Sequence, residues 1–296
     1  MSNQAIDLHS HTVYSDGSST PDELVARAAS QGARAIAITD HDTVAGLAEG
    51  RAAAERIGVE FIDGIEISAE YSPGTMHILG YYINDDSAEL KAKLDELKGA
   101  RNRRNPEIAR RLQEMGMDIS YEEVAALSGN EIVGRPHFAR LMVEKGYVKS
   151  IQDAFDKFLA KGAAAYVEKK RLSPGDSIAL IHNAGGVAVL AHPYQLKLSS
   201  FEEFDTLLGG LVALGLDGVE AIYSRHSQSQ RDMYSEIAKR HHLLITGGSD
   251  FHGAYKPDID LIKGLGDLQV PYELLEEIKA RANNRSRSST EIAGEG

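Results

Sequence analysis

The chain contains no cysteine. Disulfides and thiolate metal sites are therefore excluded, and any bound metal must be held by histidine, aspartate and glutamate. Long hydrophobic runs are also missing. No stretch reaches the roughly 20 apolar residues of a membrane-spanning helix, and the N-terminus shows no signal-peptide apolar segment. Basic charge is in deficit: the formal net charge is -12 over 296 residues. That argues against a broadly basic nucleic-acid-binding surface, while leaving room for a local basic patch and favouring bound cations. No glycine-rich nucleotide loop is evident. What remains, 42% hydrophobic and 26% charged residues, suits a globular α/β domain, alone or carrying an insertion. The expectation is a cytoplasmic protein without membrane contact.

Short apolar runs alternate with helical patterns. "AIDLHSH", "ARAIAITD", "VEFIDGIEISAEY", "TMHILGYYI", "VAVLAHP", "GVEAIYS" and "LLITGGSDFH" read as strands. Thr20 is placed as an N-cap before Pro21 and acidic Asp22 and Glu23, and Gly58 ends a second helix. After Lys98 the character changes. Residues 98–167 show helical periodicity only, in "NPEIARRLQEMG", "SYEEVAALSG", "RPHFARLMVEKG" and "SIQDAFDKFLAKG". Residues 1–97 and 168–285 then form one discontinuous strand–helix unit, and residues 286–296 a polar, disordered tail. Such alternation predicts parallel strands with helices outside. Pattern alone leaves an open sheet and a barrel both available. Polar residues favour the barrel, because His11, Asp40, His41, Glu66, His192 and Asp250 all fall at or near C-terminal strand ends.

These polar residues carry the chemistry. His9 and His11, two apart on a strand, share a face and can bind one cation, with Asp16 in the following loop. The plain alternative is a half-exposed strand and a turn aspartate. "ITDHD" ends a strand in Asp40, His41 and Asp42; at least one of the aspartates is expected to cap the next helix, which leaves His41 unexplained. Glu66 sits between two isoleucines, where a carboxylate needs a partner: a cross-sheet salt bridge, or a metal if histidines converge. His77 opens the next strand and by itself reads as a structural histidine. His192 ends a hydrophobic strand before Pro193. Asp250 and His252 follow Gly247 and Gly248, which permit close backbone approach. Six of the 11 histidines recur at strand ends beside carboxylates, too many for separate coincidences.

The pattern HSH…D, TDHD, GIEIS, H, AHP and SDFH resembles the PHP (polymerase and histidinol phosphatase) superfamily of metal-dependent phosphoesterases, from Ile6 to about His252. The helical insertion with "GRPHFAR" resembles the branch of nucleoside 3′,5′-bisphosphate phosphatases, which includes enzymes trimming short 5′-phosphorylated RNA. The resemblance implies a distorted (β/α)7 barrel with a helical insertion domain and up to three metals at its rim. It places His9, His11, Asp250 and bridging Glu66 on one metal. Glu66, His77 and His192 would hold a second, and Asp16, His41 and His252 a third. Asp7 would orient His9 or sit in a salt bridge. Imidazole with carboxylate suits Mn²⁺ first, with Zn²⁺ or Fe²⁺ as alternatives.

Such a centre implies hydrolysis by a hydroxide bridging two metals, attacking phosphorus in line, with no protein nucleophile. The resemblance assigns Arg135 and His137 to a second substrate phosphate; otherwise they cap the helix near Pro136. Asp42 is also placed among the substrate contacts. Arg225 and His226 match more loosely and read equally as a solvated loop. The run "KGARNRRNPEIARR" reads as a solvated helix face, or as a patch steering a polyanion. The expected reaction is release of the 5′-phosphate of nucleoside 3′,5′-bisphosphates, extending to short 5′-phosphorylated RNA, with no obligate protein partner. Histidinol-phosphate phosphatase, 5′→3′ exonuclease and a non-catalytic scaffold are the alternatives.

Overall fold

In the computed structural model, which describes residues 5–128 and 133–294, seven strands form one sheet in chain order. They are β1 (Ile6–Asp7), β2 (Ala35–Ile38), β3 (Glu60–Ala69), β4 (Met76–Tyr81), β5 (Val187–Leu190), β6 (Gly218–Tyr223) and β7 (Leu244–Gly248). The sheet nearly closes into a barrel. Leu8 N donates to Gly247 O (3.2 Å), Asp250 N to His9 O (2.8 Å) and His11 N to Phe251 O (2.9 Å), tying the first strand to the last. The open-sheet alternative is thereby excluded.

Helices α1 (Pro21–Ser30) and α2 (Leu47–Ile57) link the first three strands, and α3 (Ala88–Glu114), α4 (Tyr121–Ser128), α5 (Arg135–Glu144) and α6 (Ile151–Ala154) follow β4. Helices α7 (Pro174–Asn183), α8 (Phe201–Ala213), α9 (Gln228–Arg240) and α10 (Tyr272–Gly294) accompany the remaining strands. None of the described helices is long and apolar enough to cross a membrane. Thr20 caps α1 as expected, its hydroxyl accepting from Glu23 N while the Glu23 carboxylate accepts from Thr20 N (2.9 Å). Gly58 ends α2 in the left-handed conformation.

Strand alternation builds two layers. Ala35, Ala37, Val187 and Val189 face the barrel interior with Ile6, Leu8, Ile62, Leu79 and Tyr81. Ile36, Ile38, Ala188 and Leu190 face the surrounding helices. Tyr272, Leu275 and Ile278 of α10 join the interior cluster. This helix continues to Gly294, past residue 285 where the sequence suggests a disordered tail, because neither proline nor glycine interrupts residues 273–293. A third cluster runs from Ile108 to Ala165 and includes Phe138, Leu141 and Leu159. Leu90, Leu94 and Leu97 pack instead on the barrel, so α3 passes from one core to the other without a break, through Pro106.

Three expectations are corrected. The strands are not all parallel: β4 runs antiparallel to β3 and β5, because Glu70–Thr75 is too short for the crossover a parallel neighbour requires. Regular pairing in β1 ends at Asp7, so His9 and His11 lie on an irregular extension rather than a strand. Neither Asp40 nor Asp42 caps α2, whose N-cap is Gly46 without a side-chain bond.

The seam between β1 and β7 has no spare room. A Cβ on Gly248 would fall on His9 Cβ and lie 2.5 Å from His9 N. Gly248→Ala should therefore destabilise the chain by about 2 kcal/mol, seen as a drop of a few degrees in Tm. An unchanged Tm would show that the seam is looser than this packing implies.

Candidate metal centre and cationic basin

Alternation along the antiparallel pair explains how the centre is assembled. Glu66 pairs with Leu79, and Ser68 with His77. Leu79 faces the interior, so Glu66 and His77, each an even number of residues from an inward position, turn inward at the rim. His41 follows β2, His192 follows β5, and Asp250 and His252 follow β7. Five of these strand-end histidines converge on one buried carboxylate. Glu66 Oε1 lies 2.7 Å from His77 Nδ1 and 2.8 Å from His192 Nε2. Glu66 Oε2 lies 3.3 Å from His9 Nε2, 3.2 Å from His11 Nε2 and 3.1 Å from His41 Nδ1. Asp250 Oδ1 lies 3.3 Å from His11 Nε2 and 3.4 Å from His252 Nδ1. Asp16 approaches His252 Nε2 at 3.4 Å and His41 Nε2 at 3.8 Å.

All nine sequence-selected residues thus share one cluster. Four overlapping sets bring ligand atoms within 4.8 Å of one another: His11, Asp16, His41, His252; His9, Glu66, His192; His9, His11, Asp250; and His41, Glu66, His77. The sets differ from the expected division, since His11 also joins Asp16 and His41 also joins Glu66 and His77. Cations fit this donor set. His9 Nε2, His11 Nε2, His41 Nδ1 and Glu66 Oε2 are buried, lack a hydrogen-bond donor–acceptor partner among the described residues, and point at one another.

The electrostatics agree. Burial opposes ionisation of Glu66, but His41, His77 and His9 hold its carboxyl well below the ordinary range. Burial likewise opposes charge on Asp250, which Lys256 and His252 outweigh. Burial disfavours a charged His11, yet Asp250 and Glu66 raise it to about 9. Burial takes His41 the other way, down to about 3. Protons on some imidazoles and not others offset the three carboxylates, a role a divalent cation would take over.

Further contacts fix these side chains. His9 Nδ1 contacts Glu220 Oε1 (2.8 Å), and Glu220 Oε2 accepts from His192 N (2.8 Å). Tyr223 donates to Asp250 Oδ2 (2.9 Å). Asp40 accepts from Thr12 N (2.8 Å), Thr12 Oγ1 and Ser15 Oγ, holding the loop between His11 and Asp16. Asp7 accepts backbone bonds from His9 (3.2 Å), Ser249 (2.8 Å) and Ile262 (2.8 Å), so it sets the path of the main chain rather than the imidazole. His192 (φ 23°) and Asp250 (φ 57°) are both held at positive φ, a strain that clusters at functional sites.

A cavity of about 320 Å³ at the cluster is lined by Asp16, His41 and His77 together with Arg101, Arg104, Arg135, His137, Lys169 and Arg171. Arg101 and Arg104 are only 5% and 6% exposed, which overturns the solvated-face reading for those two residues, while Arg103 and Arg110 of the same run stay on an exposed face. Asp42 does not line the cavity. It is buried beneath, accepting from Arg101, from Lys169 (2.8 Å) and from Ser68 N (2.9 Å). Arg104 bonds Asn105 Oδ1 (2.8 Å), and Arg135 bonds Leu159 O (3.0 Å) while facing Tyr166 at 5.4 Å. Arg101 Nη1 is buried with no partner among the described residues. Burial and the neighbouring Arg101, Arg135 and Arg171 disfavour charge on Arg104. Burial, despite Asp42, pulls the Lys169 ammonium down to about 7. His137 Nδ1 accepts from Gly134 N (3.0 Å), so it closes the start of α5 and also lines the cavity.

Arg225 and His226 are not among the cavity-lining residues. Arg225 turns out to Asp258 (2.7 Å). His226 is buried, bonded to Ala221 O (2.9 Å) and accepting from Tyr194 N (3.3 Å). Sequence reasoning missed Glu220, Lys169 and Arg171, and undervalued Arg101 and Arg104. Three of these had a signal. Leu90, Leu94, Leu97, Ile108 and Leu112 form the buried stripe of α3, and Arg101 and Arg104 continue it at helical spacing. Glu220 lies between Val219 and Ala221 much as Glu66 lies between isoleucines. Lys169 and Arg171 carry no comparable pattern.

A near-closed seven-stranded barrel whose rim gathers six imidazoles and three carboxylates defines a class of metal-dependent hydrolases. The chain belongs to the PHP domain family, whose model matches residues 7–279. It is 36% identical over 250 residues to a 3′,5′-nucleoside bisphosphate phosphatase of Chromobacterium violaceum, covering 83% of this chain and 87% of that one. It is 37% identical over 248 residues to the 5′-3′ exoribonuclease Rnm of Escherichia coli, covering 83% and 84%. An amidohydrolase structure from Chromobacterium violaceum, with bound sulfate and no metal, superposes with TM-score 0.83 at 34% identity, over 94% of this chain and 96% of that one.

Glu220 orients two candidate ligands at once, through the His9 ring and the His192 main chain. Glu220→Gln should lower divalent-metal affinity by about 10–100-fold, measured by competition with a chelating indicator. Unaltered affinity would make Glu220 a structural residue only.

Proposed function

We propose that this chain hydrolyses the 5′-phosphate of nucleoside 3′,5′-bisphosphates and of short 5′-phosphorylated oligoribonucleotides, acting in the cytoplasm on small phosphorylated substrates without a protein partner. His9, His11, Asp16, His41, Glu66, His77, His192, Asp250 and His252 would hold two or three divalent cations, Mn²⁺ foremost and Zn²⁺ or Fe²⁺ as alternatives. The observation that carries this reading is the shared cavity. Three candidate metal ligands and five cationic side chains line it together. Among the described residues, only Asp42 and Glu168 are carboxylates paired with those five cations. A second phosphate on the substrate would relieve the remaining repulsion.

Bound cations would supply an activated water and neutralise charge on the phosphoryl oxygens. The protein's own side chains do the rest. Asp42 anchors Arg101 and Lys169 against strand β3, which fixes their charges at the cavity edge. Arg135 and Arg104, with no carboxylate partner among the described residues, are free to grip a phosphate with paired hydrogen bonds. Accepting at Nδ1 leaves the proton of neutral His137 on Nε2, a further donor. Positioning the second phosphate holds the 5′-phosphate over the cluster. The cationic wall disfavours histidinol phosphate, which carries an amine in place of a second anion. The unpartnered ligand atoms of the cluster disfavour an inert scaffold. The exonuclease reading shares this geometry, since an internucleotide phosphate can occupy the same basin.

Arg135→Ala should lower kcat/KM for adenosine 3′,5′-bisphosphate by about 10–100-fold, with a much smaller effect on an aryl phosphate. Equal losses on both substrates would contradict the second-phosphate role. Stripping divalent cations should abolish phosphate release, and adding back Mn²⁺, Zn²⁺ or Fe²⁺ singly should restore it. Full activity in metal-free protein would contradict the metal assignment.

A further inference from the structure

The cationic cavity does not end at the basin. Thr75 and Gln195 line it and also line a second cavity of about 360 Å³, formed with Pro193, Tyr194, Lys197 and Gln230. The saddle between the two is a fixed backbone contact, Thr75 N donating to Gln195 O (2.9 Å). Tyr194 stands on this second cavity two residues beyond His192, with 51% of its surface exposed. Its ring makes no aromatic contact among the described residues. Its backbone is nevertheless fixed, because buried His226 accepts from Tyr194 N (3.3 Å) at Nε2 and donates to Ala221 O (2.9 Å) at Nδ1. Lys197 is exposed beside it, with no carboxylate partner among the described residues. An exposed aromatic ring on a hydrogen-bonded backbone, an ammonium with no carboxylate partner among the described residues, and two lining residues shared with a cationic basin are the parts of a single-strand nucleotide site.

We infer that Tyr194 and Lys197 form a subsite for the nucleoside attached beyond the substrate's second phosphate, the base stacking on Tyr194 and the following phosphate approaching Lys197. The subsite rests on the function proposed above, and it extends that function to a preference for oligonucleotides. It also gives His226 a purpose: His226 is a positioning residue for Tyr194.

The test compares adenosine 3′,5′-bisphosphate with a 5′-phosphorylated adenosine trinucleotide on the manganese-loaded full chain. In Tyr194→Ala, the ratio of trinucleotide to bisphosphate kcat/KM should fall about tenfold, mainly through KM. Tyr194→Phe should restore it, because stacking needs the ring and not the hydroxyl. Lys197→Gln should weaken the salt dependence of the trinucleotide KM. A ratio unchanged in Tyr194→Ala overturns the subsite. So does a wild-type chain that hydrolyses the bisphosphate but leaves the trinucleotide intact, a result that leaves the bisphosphate function standing. A wild-type chain that degrades the trinucleotide in a Tyr194-dependent way while ignoring the bisphosphate supports the subsite and refutes the bisphosphate function.

Discussion

The structure depends on one buried carboxylate. Glu66 is fully enclosed and stands within 3.3 Å of imidazole nitrogens from five histidines. Those histidines come from the exits of β1, β2 and β5 and from β4, so no local segment can supply the arrangement. Only a sheet that curls until β1 meets β7 brings them to one point. Gathering nine ionisable groups where water is scarce would cost many kcal/mol if they were left uncompensated. Bound cations would offset that cost, and the same cations would make the rim chemically useful.

The second constraint has the opposite sign. An acidic chain places five cationic side chains in one cavity with three members of its candidate ligand cluster. Net charge therefore says little about the substrate, whereas the local arrangement says a good deal. The basin is built by residues between β4 and β5: Arg101 and Arg104 from α3, Arg135 from the start of α5, and Lys169 and Arg171 from the stretch leading back to α7. Asp42 links the two halves, since it follows the β2 exit yet holds Arg101 and Lys169. Family likeness to both a bisphosphate phosphatase and an exoribonuclease is understandable on this geometry, because both substrates present one phosphate after another.

Much of this was legible in the sequence. All seven strands were, since each is an apolar run closed by polar or glycine residues. The direction of β4 was not legible from alternation, which reads the same both ways along a strand; only the short Glu70–Thr75 connection carried it. Asp40 and Asp42 looked like helix caps because aspartate often is one, but their carboxylates are used by Thr12 and Ser15 and by Arg101 and Lys169. Arg101 and Arg104 were obscured by their charge, although their spacing continues a buried stripe. Arg225 and His226 follow a strand as the ligands do, yet one pairs with Asp258 at the surface and the other supports the Tyr194 backbone. Position at a strand end is thus informative about exposure to the rim and not about which way a side chain turns.

Side chains from across the chain form a single bowl around Glu66 that is suited to hold cations. Anomalous diffraction at the manganese edge, from crystals grown with Mn²⁺, tests it most directly. At least two anomalous peaks are expected at the barrel rim, each about 2.0–2.3 Å from histidine nitrogens or carboxylate oxygens of the cluster, with Glu66 between two of them. Peaks confined to the surface, or an empty rim at saturating Mn²⁺, would contradict it.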